Sequence, residues 1–102
     1  MKIYNKLVRD LIPDIIAKDG QKFDAHIAST EEFAVLLETK LDEEVSEYHE
    51  DKNLEELADV LEVLVGLANM LGFTEEELFK KRLDKKEQRG GFEKRIVLEK
   101  IY

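Results

Sequence analysis

The stretch LEELADVLEVLVGLANMLG, residues 54–72, decides the fold because it is a helix with apolar residues on almost every side. It contains no proline, and Gly72 marks its end. A helix that is apolar nearly all round is buried on several sides. The chain has too few other helices to surround it. We therefore expect a second subunit to complete the bundle, with a compact monomer built around this helix as the alternative.

Three capping-box patterns, each a Ser, Thr or Asn followed three residues later by Glu, predict where the long helices begin. The first helix is predicted over about 30–50, the second is the apolar stretch itself, and the third ends at Gly90-Gly91. The patterns are Ser29 with Glu32, Asn53 with Glu56, and Thr74 with Glu77.

The two ends of the chain differ from its middle. Pro13 suits the first turn of a short helix that Gly20 ends. Residues 1–10 are predicted to be extended, and residues 92–102 to be a strand or a packed extended arm. The sequence thus predicts an all-α fold, a single domain over 1–102. It would be an antiparallel helical bundle completed by oligomerisation, with short extended N- and C-terminal arms.

Composition excludes several classes of function. Sixteen basic and twenty-four acidic residues leave a net charge of −8, which argues against a nucleic-acid polymer as a partner. The chain has no cysteine and two histidines, so thiolate or histidine-rich metal sites are not expected. It lacks an apolar signal core and a run long enough to span a bilayer, so we expect a cytoplasmic protein with no membrane partner.

Carboxylates occur where apolar side chains are expected on two neighbouring helices. On the first, Glu44 and Glu47 are one turn apart and point with the core, and Glu43 borders it. On the second, Glu56 and Asp59 are three residues apart and share a face at an apolar surface. The link between these helices is short, so they should pack as an antiparallel hairpin. The four core-side carboxylates would then converge near one end of it.

Core-facing carboxylates must be neutralised, because an uncompensated cluster would be strongly destabilising. Protons, lysines or a hard cation can do this. Carboxylate oxygens suit Mg²⁺ or Mn²⁺, and Mg²⁺ commonly binds substrate phosphates as well. This pattern favours a metal-dependent phosphoryl site. The alternative is that these glutamates are helix-favouring residues on a solvated face, paired with Lys40.

The pattern Glu43-Glu44-x-x-Glu47 followed by Glu56-x-x-Asp59 resembles the EExxE…ExxD signature of MazG-like nucleotide pyrophosphohydrolases, the all-α NTP pyrophosphatase superfamily. The terminal segments YNKLVRDLIPDII and QRGGFEKRIVLEKI are similar to those of a small phosphoribosyl-ATP-pyrophosphohydrolase-like subfamily. The resemblance implies a helical-bundle oligomer, a dimer or tetramer. It would cleave a nucleoside triphosphate between its α and β phosphorus, releasing a monophosphate and pyrophosphate. Non-standard or surplus nucleotides are the implied substrates.

The resemblance also implies roles for the five carboxylates as the catalytic set. Glu44, Glu47 and Glu56 match metal ligands, as does Asp59. Glu43 matches a glutamate that supports the site or positions water. The interval between Glu47 and Glu56 is shorter than in longer MazG proteins, which leaves the base preference open.

Basic residues near the ends of the chain are candidates for binding phosphate, because a triphosphate needs cations beyond the metal. The alternative for the C-terminal group is a helix stop followed by a solvated basic arm. Lys40 is a further candidate, or it balances the acidic residues of its own helix. The substrate-binding candidates are Lys6, Arg9, Lys40, Arg89, Lys94 and Arg95.

Two other functions remain open. The enzymatic one is phosphoribosyl-ATP hydrolysis in histidine biosynthesis. The non-enzymatic one is a helical oligomerisation module whose acidic cluster binds a cation structurally or not at all.

Overall fold

The computed structural model describes all of residues 1–102 and contains four helices and no strand. The all-α prediction is confirmed, whereas the strand alternative for residues 92–102 is wrong. The helices are α1 (Ile12–Lys18), α2 (Thr30–Glu50), α3 (Leu54–Met70) and α4 (Glu75–Arg89).

Each long helix begins at a side-chain cap. The cap accepts a hydrogen bond from the N–H three residues later, at 2.9–3.1 Å. Only Thr74 and Glu77 form the complete reciprocal box. At the other two helices the carboxylates of Glu32 and Glu56 turn elsewhere, and Glu32 contacts His26. The three caps are Ser29, Asn53 and Thr74.

The main packing unit is the antiparallel hairpin of α2 and α3. Leu37 of α2 is the most buried side chain of the chain, with 5% of its surface exposed. It packs over Gly66 of α3, where the Leu37 methyl groups lie 3.5 and 3.6 Å from the position that a Cβ would take. Both distances are ordinary van der Waals contacts, so Leu37 packs closely on Gly66 and still leaves room for a Cβ there.

This contact also sets the register of the two helices. Glu44 lies seven residues after Leu37, and Asp59 lies seven residues before Gly66. Two helical turns separate the members of each pair, so the same faces meet again two turns along the hairpin. The packing of Leu37 on Gly66 therefore brings Glu44 opposite Asp59.

Helix α4 leaves the hairpin at the far end from these carboxylates. Gly72 follows α3 with φ 93°, a conformation that favours glycine, and α4 is inclined at 110° to α3. No single helix has the length and apolarity to cross a membrane; α3 and α4 meet both criteria only when taken together across this bend.

The chain alone does not surround α3. Five residues are buried, namely Leu37, Val63, Val65, Ala68 and Glu44. The accessible surface is 9561 Å², whereas a compact monomer of 11.9 kDa exposes about 5,900 Å². The radius of gyration is 17.9 Å, against about 13 Å for a compact chain of this length. Much apolar surface, including a stripe on α3, therefore remains exposed.

Alanine at Gly66 and at Gly72 is predicted to have opposite effects on stability. Gly66 lies inside α3 with room for a Cβ, so Gly66→Ala should raise the free energy of unfolding by roughly 0.5–1 kcal/mol. Gly72 has a positive φ, so Gly72→Ala should lower it by about 1 kcal/mol. Urea unfolding of both variants measures this, and a destabilised Gly66→Ala variant would contradict the packing described.

Candidate metal centre

Three carboxylates from the α2–α3 hairpin converge. One carboxylate oxygen from each of Glu44, Glu56 and Asp59 lies within 4.8 Å of the other two. Glu44 comes from the second half of α2, and the other two come from the first two turns of α3. Their helical spacing and the register of the hairpin together produce this group, as the sequence predicted for these three residues.

Glu44 is the unusual member because it is buried. Only 7% of its surface is exposed, and it is the single charged residue among the five buried ones. Its Oε2 and the Oε2 of Glu56 are both shielded from solvent without a hydrogen-bond partner. An unsatisfied buried polar atom costs about 1–3 kcal/mol, and more when it is charged. Two such atoms lie in one group, and neither accepts a hydrogen bond from a basic side chain.

Glu47 lies differently from the prediction. It is exposed rather than directed into the core, and it is not a member of the converging group. The hairpin register nevertheless places it opposite Glu56. The negative charge of Glu47 contributes to the raised pKa of Glu56 and to the raised pKa of Lys6. The reason for the difference is that Glu47 lies almost a full turn beyond Glu44, next to the exposed link at residues 51–53, where little of the chain packs over the helices.

Two lysines bind the outer carboxylate, Glu43. The Oε1 of Glu43 lies 3.0 Å from Lys6 Nζ and 3.4 Å from Lys40 Nζ. Lys40 also lies 3.2 Å from Oε1 of Glu44. Burial raises the pKa of Glu43, but the hydrogen bond from Lys6 and the charge of Lys40 outweigh burial and hold this pKa below its usual value. The hydrogen bond to Glu43 raises the pKa of Lys6. Glu43 is therefore ionised, and its carboxylate is already paired with two lysines.

Glu56 has the opposite shift. Burial of its carboxylate, followed by the charges of Glu47 and Asp59, raises the pKa of Glu56 above its usual value. No cation of the chain pairs with Glu56, because Arg9 and the two lysines contact its neighbours. The ionised form of Glu56 thus lacks a counter-charge.

Arg9 reaches the group from the N-terminal segment. Its Nη2 donates a hydrogen bond to Oδ1 of Asp59 at 2.9 Å. The sequence identified Lys6 and Arg9 as phosphate-binding candidates but did not predict that both would contact the carboxylates. This arrangement depends on the path of residues 1–11 across the hairpin, for which helical spacing carries no signal.

The C-terminal basic residues are not brought to the group within one chain. Every residue after Asp84 is exposed. None of Arg89, Lys94 and Arg95 lies within ion-pair distance of a carboxylate. The bend between α3 and α4 directs this part of the chain away from the first turns of α3.

Comparison with protein-family models, with curated proteins and with solved structures finds no match for this chain. The structure shows an all-helical protein in which three carboxylates from two neighbouring helices converge.

Removal of the Glu56 charge is predicted to stabilise the metal-free protein. Its raised pKa means that the folded state disfavours the ionised form. Glu56→Gln should therefore increase the urea midpoint at pH 7 in the presence of a chelator. The gain should shrink as the pH falls through the raised pKa, since the wild-type carboxyl is then protonated. Glu62→Gln, an exposed glutamate of the same helix, is the control. A lower urea midpoint for Glu56→Gln than for the wild type would show that burial and charge repulsion do not dominate the contribution of Glu56 to stability.

Proposed function

We propose that the chain is a Mg²⁺-dependent nucleoside triphosphate pyrophosphohydrolase that works as a homo-oligomer, with Mn²⁺ as a second suitable ion. The observation that carries this proposal is the buried carboxylate of Glu44, whose unpartnered Oε2 belongs to a group with Glu56 and Asp59. Hard divalent cations prefer such ligands, and Mg²⁺ commonly joins protein carboxylates to substrate phosphates.

The charges of the candidate site support a single divalent cation. Five carboxylates carry five negative charges, and three basic side chains that contact them carry three positive ones. Two negative charges remain, which one divalent ion balances. The acidic set is Glu43, Glu44, Glu47, Glu56 and Asp59, and the basic set is Lys6, Arg9 and Lys40.

The substrate class rests on the resemblance of the EExxE…ExxD pattern and of the terminal segments to MazG-like pyrophosphohydrolases. Housekeeping of non-standard or surplus nucleotides in the cytoplasm is the corresponding role. Basic side chains next to the carboxylates agree with a phosphorylated substrate, because Arg and Lys bind phosphate oxygens.

Each residue of the candidate site has a proposed role. Glu44, Glu56 and Asp59 hold the cation, and Glu47 adds charge from the exposed side. When bound, this ion polarises the attacked phosphorus and neutralises developing charge. Glu43 is a weak proton acceptor because its pKa is lowered, so we assign it to positioning Lys6 and Lys40. These lysines and Arg9 orient the phosphates.

Exposed apolar surface supports the oligomer. The chain exposes roughly 3,600 Å² more than a compact monomer of its mass. Standard interfaces bury about 1,200–2,000 Å² in total, and obligate dimers bury more. The exposed stripe on α3 repeats at alternating intervals of three and four residues, as in helices that pack against a partner helix. It consists of Leu54, Leu57, Leu61 and Leu64.

The C-terminal segment adds to this argument. Its apolar side chains Ile96, Val97 and Leu98 are at least 73% exposed. Packing of this segment on a second copy would cover them. Arg89, Lys94 and Arg95 remain candidates for phosphate contacts, supplied in such an assembly by the second copy.

The enzyme is predicted to release pyrophosphate and a nucleoside monophosphate in equal amounts from at least one triphosphate with Mg²⁺. Glu44→Gln and Asp59→Asn should each lower kcat by at least about 100-fold, because loss of a metal ligand should cost no less than loss of its supporting residues. Glu62→Gln should retain activity, since this glutamate lies outside the group. A panel of standard and modified nucleotides, assayed for pyrophosphate, tests this.

Outcomes of that panel separate the alternatives. Phosphoribosyl-ATP belongs in it, and turnover of this compound alone would favour the histidine-biosynthesis activity. No pyrophosphate from any compound, with folded protein that binds Mn²⁺, would contradict a hydrolase and favour a cation-binding oligomerisation module.

In solution the protein is predicted to have the mass of a dimer or tetramer at micromolar concentration. Leu57→Gln/Leu64→Gln replaces two leucines of the α3 stripe and should shift the mass toward the monomer, because the apolar interface is lost. Leu83→Gln alters an exposed leucine of α4 and serves as the control. Light scattering gives the mass, and a monomeric wild type would contradict the proposed oligomer.

A further inference from the structure

The N-terminal segment, residues 1–11, crosses the carboxylate group and is named the strap here. Lys6 of the strap binds Glu43 on α2, and Arg9 binds Asp59 on α3. Two residues of the strap thus contact two different helices. The chain turns at Asn5, where φ is 47°. The carbonyl of Arg9 accepts a hydrogen bond from the N–H of Ile12 at 3.1 Å, which ties the strap to α1.

Few other contacts hold the strap in place. All of its residues except Leu7 are exposed. Helix α1, which follows it, is not packed against another helix. The Lys6 and Arg9 side chains are about half exposed. Exposed ion pairs contribute little to stability and weaken with salt. The position of the strap therefore depends on the charges of the carboxylates that it touches.

One of these carboxylates has two competing uses. Oδ1 of Asp59 accepts the hydrogen bond from Arg9, and a carboxylate oxygen of Asp59 also belongs to the group with Glu44 and Glu56. A divalent cation held by the group neutralises Asp59 and repels the guanidinium of Arg9. Occupation of the group by the ion therefore weakens the contact that holds the strap on α3.

We infer that the strap is an ion-responsive cover, which lies on the carboxylates of the metal-free protein and loosens when a divalent cation binds them. Arg9 and Lys6 then become free to bind the phosphates of a ligand held by that cation. Binding of these phosphates returns the strap to its position over the carboxylates. This inference rests on the proposed metal site but not on the proposed hydrolysis. Linkage requires the coupling to be reciprocal, so the strap must also weaken binding of the cation.

Titration calorimetry with Mn²⁺ tests whether the strap weakens binding of the cation. Arg9→Gln should bind Mn²⁺ about two- to five-fold more tightly than the wild type, the range that one exposed ion pair allows. Lys6→Gln should show a smaller gain, because Glu43 lies outside the converging group. Arg82→Gln removes an equal charge from an exposed site on α4 that forms no ion pair, and it should leave the affinity unchanged. Equal or weaker binding by Arg9→Gln overturns the inference.

Limited proteolysis of the wild type tests the position of the strap directly. Trypsin cleavage after Lys6 and Arg9 should become faster on addition of Mn²⁺ at constant ionic strength. Cleavage after Lys22, an exposed residue outside the strap, is the internal reference for trypsin activity. Imidodiphosphate, added at constant free Mn²⁺, should slow the strap cleavages again. Unchanged relative rates with Mn²⁺ overturn the inference.

These results separate failure of the inference from failure of the proposed function. If the wild type and Arg9→Gln bind Mn²⁺ equally, the metal site stands and only the strap model fails. If neither binds Mn²⁺, the metal site fails and the strap model fails with it. Metal binding with a responsive strap but no pyrophosphate release supports the inference while contradicting the hydrolase.

Discussion

Leu37 packs over Gly66, and this contact holds α2 and α3 in one antiparallel register. Two turns along the hairpin the same register brings Glu44 to Asp59. A shift of one residue would rotate a helix by about 100° and separate these carboxylates. The contact made by the most buried residue of the chain and the burial of its only buried charged residue are therefore products of a single alignment, so the site cannot form unless the hairpin is paired correctly.

The burial of Glu44 opposes the stability of this hairpin. The chain buries few residues, and one of them is a carboxylate with an unpartnered oxygen. Lys40 offsets part of the cost through the other oxygen. A residue that violates local rules without full compensation is typical of functional sites. A cation bound there would stabilise the folded chain by mass action, because the unfolded chain lacks the converging ligands.

Local signals in the sequence predicted most of the helices, whereas long-range geometry lay beyond them. The capping patterns at Ser29, Asn53 and Thr74 correctly mark where the three long helices begin. Helical spacing placed Glu44, Glu56 and Asp59 on facing sides. The 110° bend before α4, the exposure of Glu47 and the course of the strap each depend on contacts between distant segments. Neither periodicity nor capping encodes such contacts, so the sequence does not predict the carboxylate partners of Lys6 and Arg9, whereas it does pair Lys40 with the glutamates of its own helix.

Helix α3 joins the site to the expected interface. Leu57, which belongs to the exposed apolar stripe, directly follows Glu56 in the sequence. A partner that covers this stripe would remove water from the neighbourhood of Glu56, whose carboxylate already lacks a counter-charge. Lower local polarity strengthens both the repulsion among the carboxylates and their attraction for a cation. Assembly would thus increase the affinity of the group for a divalent ion, and by reciprocity the bound ion would favour assembly.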